Sequence, residues 1–230
     1  MIDITPAAIL NTWLPLQKAA KYAYPDSGPK LEAPVLLEGW RLGGLIQPNN
    51  FGYFAWNGKT HVVVFRGTER LREWAEDIDS LEADCVIGPE WGRVHTGMQD
   101  MFMGVFPTVP VDYVDLPGND IEVVLLGHSV GGSLAIQAAA RLAKYRPAVV
   151  TFEMPKFGRA TFIETFNSQI KNCIRVEDHL DPIPSVPAGA GYGHVGDVLR
   201  IDGGWAVDVE ELHSLDRVER GLRRLLQAAA

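Results

Sequence analysis

The chain has 230 residues, of which 47% are hydrophobic and 22% are charged, and its formal net charge is -8. This composition is typical of a folded globular protein and excludes a disordered chain. The acidic balance argues against nucleic acids and anionic membrane surfaces as partners, because both require clustered Lys and Arg.

The N-terminal segment predicts a helix that packs on a single domain spanning residues 1–230. Thr5 and Pro6 form the N-cap and first-turn pair typical of a helix start. Pro15 is expected to bend or end this helix, which lies within residues 1–24.

The cellular location is expected to be cytoplasmic. The first residues are acidic and polar where a signal peptide needs a basic start and an apolar stretch. No apolar run reaches the roughly 18 residues that a membrane span needs. In a reducing compartment, Cys85 and Cys173 are expected to be free thiols.

Strand and helix signals alternate along the chain, which predicts an α/β fold with a mostly parallel central sheet flanked by helices. The predicted strands cover residues 35–41, 51–56, 61–65, 121–126, 148–152, 173–177 and 197–201, and the predicted helices cover residues 69–81, 130–145, 160–170 and 215–226. Asn57-Gly58 predicts a hairpin turn. A loop is expected over residues 182–193, and the basic residues from Arg217 to Arg224 are interpreted as a solvated helix face.

A nucleophile is indicated by the segment Gly127-His128-Ser129-Val130-Gly131, which matches the G-x-S-x-G pattern. In that pattern a sharp turn between a strand and a helix exposes the serine hydroxyl. The segment lies between the predicted strand at 121–126 and the predicted helix at 130–145, as the pattern requires. The alternative is an ordinary glycine-rich turn.

A serine nucleophile needs an imidazole to accept its proton and an acid to orient that imidazole. In hydrolases with this elbow the acid and then the histidine follow the serine along the chain. This order leaves three histidines, and His179 is interpreted as structural. The residues alone leave His194 and His213 as equal candidates for the base.

The candidate acid is Asp181, which follows a predicted strand at the carboxyl edge of the sheet, where ligands of α/β proteins bind. Glu153 follows the preceding strand and is the reserve candidate. Glu177 and Asp178 are interpreted as solvated or loop-capping residues.

Seven segments in order resemble the class 3 lipases, also called fungal-lipase-like hydrolases. They are VVVFRGT (62–68), VHTGM (94–98), GHSVGGSLA (127–135), TFEMPKFG (151–158), RVEDHLDPIPSVP (175–187), GYGHVG (191–196) and HSL (213–215). The resemblance implies the α/β-hydrolase fold and a serine ester hydrolase without metal or organic cofactor. It places the nucleophile at Ser129, the acid at Asp181 and the base at His213, and it assigns His194 a structural role.

The resemblance also implies an oxyanion hole formed by the backbone N–H groups of Val130 and Thr68. Thr68 is also interpreted as the N-cap of the predicted helix at 69–81. In relatives a lid lies at this helix, and both a mobile lid and a fixed core helix fit its amphipathic pattern. His95 resembles a hydrogen-bonded structural histidine beneath the elbow.

Two positions depart from the family pattern. Relatives often carry a glycine where Glu153 precedes Met154-Pro155, and an aspartate where Leu212 precedes His213. The leading hypothesis is a hydrolase of acylglycerols or simple carboxylic esters, with transient apolar contact to a lipid interface. The alternatives are a phospholipase or acyltransferase on the same scaffold, or a catalytically silent binding module.

Overall fold

The structure is a computed structural model that describes residues 3–24, 39–46, 51–68, 81–109, 121–188 and 191–229. Most of the predicted strand at 35–41 lies outside these residues. The predicted helix at 69–81 also lies outside them, apart from its last residue, as do its interpretations as a lid and as a helix capped by Thr68.

Nine strands are described, and they are β1 (Arg41–Ile46), β2 (Gly52–Trp56), β3 (Thr60–Phe65), β4 (Glu82–Asp84), β5 (Arg93–His95), β6 (Glu122–His128), β7 (Ala148–Phe152), β8 (Cys173–Asp178) and β9 (Asp197–Ile201). The described α-helices are α1 (Pro6–Ala8), α2 (Leu14–Lys21), α3 (Thr96–Val105), α4 (Val130–Arg141), α5 (Ala160–Gln169), α6 (Val209–Leu212) and α7 (Leu215–Ala228). Short 3₁₀ turns cover Pro89–Trp91, Phe106–Thr108, Ala143–Tyr145 and Ile183–Ser185.

The main sheet has seven strands in the order β1-β2-β3-β6-β7-β8-β9. The first three pair antiparallel, and the pairs from β3 through β9 are all parallel. Asn57-Gly58 closes the β2–β3 hairpin, in which Trp56 faces His61. The predicted mostly parallel sheet is therefore confirmed.

Helices cover both faces of the sheet, as the side chains of β3 illustrate. Val63 and Phe65 point into a core with α3, α4 and α5, whereas Val62 and Val64 point into a core with α7 and the N-terminal helices. Alternate residues of a strand face opposite sides. A continuous apolar run such as HVVVF therefore belongs to a strand that is buried on both faces.

The N-terminal helix continues past Pro15, so of the two predicted effects of this proline, the end of the helix does not occur. A π-helical turn at Ile9–Trp13 joins α1 to α2, and the Leu14 N–H donates to Ile9 O. Pro15 is the second residue of α2, directly after this turn. Thr5 Oγ1 accepts from Ala8 N (3.3 Å), as its predicted capping role requires.

Other elements differ from the sequence prediction. The first strand begins at Arg41, where the prediction had it end, and Gly39 before it has a positive φ of 85°. The β4–β5 hairpin and α3 were not predicted. Both strands of the hairpin are only three residues long, which is too short to show a pattern in the sequence. Cys85 and Cys173 are buried free cysteines, as expected. Among the described residues, no helix combines the length and apolar character needed to cross a membrane.

Candidate active site

The turn between β6 and α4 holds Ser129 in a strained backbone conformation. Its φ of 58° and ψ of -135° are unusual for a residue with a side chain. A Cβ at Gly127 would overlap the carbonyl oxygen of Gly131, and one at Gly131 would overlap the carbonyl oxygens of Phe65 and Arg66. Both glycines are therefore required for the sharp turn that places Ser129 at the end of β6.

The side chains of Asp181 and His213 form a buried pair at the carboxyl edge of the sheet. His213 Nδ1 lies 2.6 Å from Asp181 Oδ2, and these side chains are 4% and 0% exposed. Asp181 Oδ1 accepts from Ile183 N (2.9 Å), which fixes the carboxylate. His213 lies in the turn between α6 and α7, where Ser214 caps α7 by accepting from Arg217 N. The pair therefore joins the loop after β8 to the C-terminal helices.

Ser129 and His213 line one cavity of about 280 Å³, together with Tyr24, Thr68, His128 and Leu215. Ser129 Oγ and His213 Nε2 are both buried, and neither has a hydrogen-bond partner among the described residues. Buried polar atoms are rarely left unsatisfied. Two such atoms on residues that line one cavity are the arrangement expected of a nucleophile and its base.

A chain of hydrogen bonds runs behind this cavity and fixes the protons of His128. Gly67 N donates to Tyr24 Oη (2.9 Å), Tyr24 Oη contacts His128 Nδ1, and His128 Nε2 lies 2.9 Å from His213 O. A carbonyl oxygen only accepts, so His128 carries its proton on Nε2 and accepts from Tyr24 at Nδ1. Burial, followed by the proximity of His213, holds the pKa of His128 well below its usual value. The ring is therefore a neutral support for His213.

Sequence reasoning did not identify His128 and Tyr24 as parts of the site. His128 occupies the variable position of the elbow, and this position was the available signal. Tyr24 lies 104 residues before His128, just after α2, and nothing in the local pattern marks it. Only the packing of the N-terminal helix over the sheet brings the two together.

The two residues predicted to supply the oxyanion donors, Val130 and Thr68, both lie near Ser129. Val130 is the first residue of α4 and is fully buried. Thr68 lines the cavity. A Cβ at Gly67 would lie 2.6 Å from Ser129 Cβ, so the backbone that carries Thr68 passes close to the serine. Both predicted residues are thus at the elbow.

The remaining histidines lie away from the cavity. His194 Nε2 lies 2.7 Å from Pro184 O, and burial together with the charge of Arg175 lowers its pKa. His179 is about half exposed and lies 3.3 Å from Ile201 O. His95 caps α3 by accepting from Met98 N (3.4 Å), which agrees with the structural role expected of it.

The interpretation of Asp178 and Glu177 as solvated was wrong. Asp178 is fully buried and pairs with Arg217, at 3.0 Å between Oδ2 and Nε, and Arg217 is itself 0% exposed. Asp178 also accepts from Leu180 N and Gly203 N, so its predicted loop-capping role is confirmed. Arg217 was assigned to a solvated face, but a charged partner inside the protein compensates its burial.

Glu177 and Glu153 are likewise buried. Glu177 pairs with Arg175 at 2.9 Å. Glu153, the reserve candidate for the acid, is 0% exposed and accepts from Asp178 N through Oε1 (2.7 Å). The carboxylate on His213 belongs to Asp181, so Glu153 does not occupy the place of the acid.

A mostly parallel sheet with a strained serine between a strand and a helix is the architecture of the α/β-hydrolases. Solved structures share this fold. Lip2 lipase from Yarrowia lipolytica superposes with a TM-score of 0.71 at 21% identity, covering 84% of this chain and 78% of that one. A lipase from Rhizopus microsporus var. chinensis gives 0.73 at 24% identity, covering 88% and 77%.

The family model for lipase (class 3) matches residues 62–190, so the chain belongs to the class 3 lipases, as the sequence predicted. A secreted mono- and diacylglycerol lipase 1 from Fusarium solani is 29% identical over 64% of this chain and 45% of its own length. Phospholipase A1-II 2 from Oryza sativa subsp. indica is 25% identical over 80% of this chain and 57% of its own length. The chain thus spans about half the length of these curated relatives.

Proposed function

We propose that this chain hydrolyses carboxylic esters through an acyl-enzyme on Ser129, with His213 as base and Asp181 as acid. The observation that carries the proposal is the buried Asp181–His213 pair, because His213 keeps an unbonded Nε2 and lines the same cavity as Ser129. Membership of the class 3 lipases supports the same chemistry.

Asp181 accepts a hydrogen bond from the Nδ1–H of His213 throughout the reaction, so the lone pair of the imidazole is on Nε2. Nε2 takes the proton of Ser129 Oγ as that oxygen attacks the ester carbonyl. The resulting imidazolium returns its proton to the leaving alcohol. Water then attacks the acyl-enzyme, and His213 acts as base once more.

The tetrahedral intermediate carries a negative oxygen, which needs donors fixed in advance. We assign this role to the backbone N–H groups of Val130 and Thr68, one at the N-terminus of α4 and the other in the loop after β3. Loss of one such donor typically costs about 10²- to 10³-fold in kcat. The proposed steps run through groups of this chain and water.

The substrates that we propose are acylglycerols and simple esters. The Fusarium relative is named a mono- and diacylglycerol lipase, which supports a neutral substrate. The cavity is also lined by Glu210 and by the Lys21–Asp216 ion pair, so these charged residues leave a net negative lining. The chain is acidic overall as well, and both features disfavour anionic head groups. Contact with a lipid interface is expected to be transient and apolar.

A phospholipase A1 activity is the second candidate, because the rice relatives carry that name. The two candidate activities differ in the lipid that is hydrolysed faster. A phospholipase is expected to release fatty acid from phosphatidylcholine faster than from diacylglycerol of the same acyl chains. The acylglycerol hydrolase is expected to show the reverse preference.

The test is hydrolysis of p-nitrophenyl esters of increasing acyl length by the wild type, Ser129→Ala, His213→Ala and His194→Ala. We expect both site variants to lose more than about 10³-fold in kcat and the His194 variant, the matched control, to stay active. Loss in His194→Ala alone would overturn the assignment of the base. A wild type that neither turns over nor reacts at Ser129 with a fluorophosphonate would indicate the silent binding module.

A further inference from the structure

Glu153 follows β7 in a conformation that is costly for a residue with a side chain. Its φ is 52°, in the left-handed region that favours glycine. Its backbone N–H donates to Val176 O (3.0 Å), which ties the turn to β8. The side chain is completely buried, although burying a carboxyl group is unfavourable. Two costs at one position call for a compensating role.

The surroundings of Glu153 hold more acceptors than donors. Oε1 accepts from Asp178 N at 2.7 Å, whereas Oε2 is buried without a partner among the described residues. Asp178 also holds Asp181 nearby, because Asp181 N donates to Asp178 O (3.2 Å), and the side chains of Glu153 and Asp181 interact. An ionised Glu153 would offer this carboxylate only repulsion. A protonated Glu153 has an O–H at Oε2 that donates to it.

The charges around the two carboxyl groups decide which of them holds the proton. Asp181 faces His213 Nδ1 and Ile183 N, which stabilise its negative form. The charge of Asp178, the other acid near Glu153, is compensated by Arg217. Burial, and then the charge of Asp181, raise the pKa of Glu153 well above its usual value.

We propose that Glu153 is a positioning residue that keeps its proton and donates a hydrogen bond to Asp181, so that three donors hold the acid of the His213 pair. The inference rests on the hydrolase mechanism proposed above. Glu153 touches neither Ser129 nor the cavity. It acts through Asp181, because its hydrogen bond orients the Asp181 carboxylate and disperses the negative charge.

The donated bond has a defined electrostatic effect. It disperses the charge of Asp181, and a carboxylate with dispersed charge attracts the proton of an imidazolium less strongly. Loss of the donor is therefore expected to strengthen the attraction of Asp181 for the imidazolium form of His213. The acidic limb of the kcat/KM profile, below which His213 is protonated and cannot act as a base, then moves to higher pH.

The test compares Glu153→Gln with Glu153→Met. The glutamine keeps an acceptor for Asp178 N and a donor for Asp181, whereas the methionine fills similar space with neither. We expect Glu153→Gln to stay within about threefold of the wild type in kcat. We expect Glu153→Met to lose about tenfold in kcat with KM unchanged, as for a lost hydrogen bond to a charged group, and to shift the acidic limb upward by about half a unit or more.

Two spectroscopic measurements on the folded protein, made without substrate, separate this inference from the hydrolase proposal. Infrared difference spectra at neutral pH should show a protonated carboxyl band in the wild type that is absent in Glu153→Gln. The low-field proton resonance of His213 Nδ1–H should move in Glu153→Met and stay in place in Glu153→Gln. These signals are expected even if no ester is hydrolysed.

Either of two results would overturn the inference. One is the absence of the protonated carboxyl band from the wild type. The difference spectrum that detects this band needs only the wild type and Glu153→Gln to fold. The other is a Glu153→Gln variant whose Nδ1–H resonance and acidic limb move as far as those of Glu153→Met. That result would mean that the carboxyl group fills space without donating to Asp181.

Discussion

Two buried acid–base pairs have acids that lie three residues apart at the end of β8, and the two pairs differ in their surroundings. Asp178–Arg217 and Asp181–His213 both join this edge of the sheet to the C-terminal helices. Each pair leaves a buried nitrogen without a hydrogen-bond partner among the described residues, Nη1 of Arg217 and Nε2 of His213. Arg217 does not line the cavity beside Ser129, whereas His213 does. A buried charge pair by itself therefore does not identify a site, and its place at the cavity of the nucleophile does.

The difference is chemical as well as geometric. Arg217 keeps its proton at every accessible pH, so its pair with Asp178 only holds α7 against the sheet. It also donates to Gly204 O in the loop after β9. An imidazole can both accept and donate a proton, so under the proposed mechanism the Asp181–His213 pair acts as a catalyst. Substitutions that neutralise one acid at a time separate these two roles.

The largest expected effect comes from Asp181→Asn compared with Asp178→Asn. Asp181→Asn removes the charge that orients His213 and should lower kcat by about 10³- to 10⁴-fold with the fold retained. Asp178→Asn should leave kcat per folded molecule within about threefold but lower the unfolding free energy. Steady-state kinetics and urea denaturation of both variants test this. Equal losses of kcat in the two variants would contradict the distinction.

Removal of the guanidinium should cost stability on the scale of a broken buried pair. Arg217→Met leaves Asp178 charged and without its partner, and we expect a loss of about 3–5 kcal/mol in unfolding free energy. The matched control is Arg223→Met on the same helix. Arg223 pairs with Glu219 four residues away and is more than half exposed, so its loss should cost less than about 0.5 kcal/mol. A cost below about 1 kcal/mol for Arg217→Met would show that solvent reaches Asp178.

The smallest effect concerns the neutral His128 behind the base. Its pKa is lower in the folded than in the unfolded protein, so the unfolded chain binds the extra proton. The resulting stability is complete above the unfolded pKa of about 6.5 and is lost as the pH falls below it.

His128→Gln keeps a donor for His213 O but does not titrate. Between pH 7.5 and pH 5.5, the wild type should therefore lose about 1 kcal/mol more unfolding free energy than His128→Gln. Urea denaturation at both pH values measures the difference. An identical loss in the two proteins would mean that His128 already carries a charge in the folded state.

Much of the fold was predictable, because periodicity reports burial. The run HVVVF and the alternation of strands with helices predicted β3 and the parallel sheet. Short elements without a pattern, such as β4 and β5, were missed. Pro15 does not end the N-terminal helix, and no local signal in the sequence marks the π turn that precedes it. Local sequence does not contain the information that packing supplies.

The residues of the site also divide into those that the local sequence predicted and those that it did not. The elbow at Ser129 is a local pattern of glycines, so the sequence predicted it directly. The choice of His213 over His194 came from family resemblance, and the structure places only His213 beside Asp181. Arg217 was assigned to solvent because a charged residue on a basic helix face is usually exposed. Its partner lies 39 residues earlier, beyond the reach of any local rule.

The order of these elements along the chain has a consequence for synthesis on the ribosome. All described strands of the main sheet are complete at Ile201, before His213 and Arg217 have been made. Because the N-terminal part of a chain emerges first, Asp178 and Asp181 lack their basic partners until the segment that carries α6 and α7 leaves the exit tunnel. A nascent chain therefore presents Ser129 without a base. Under the proposed mechanism, a nascent chain that has not yet reached His213 cannot hydrolyse an ester.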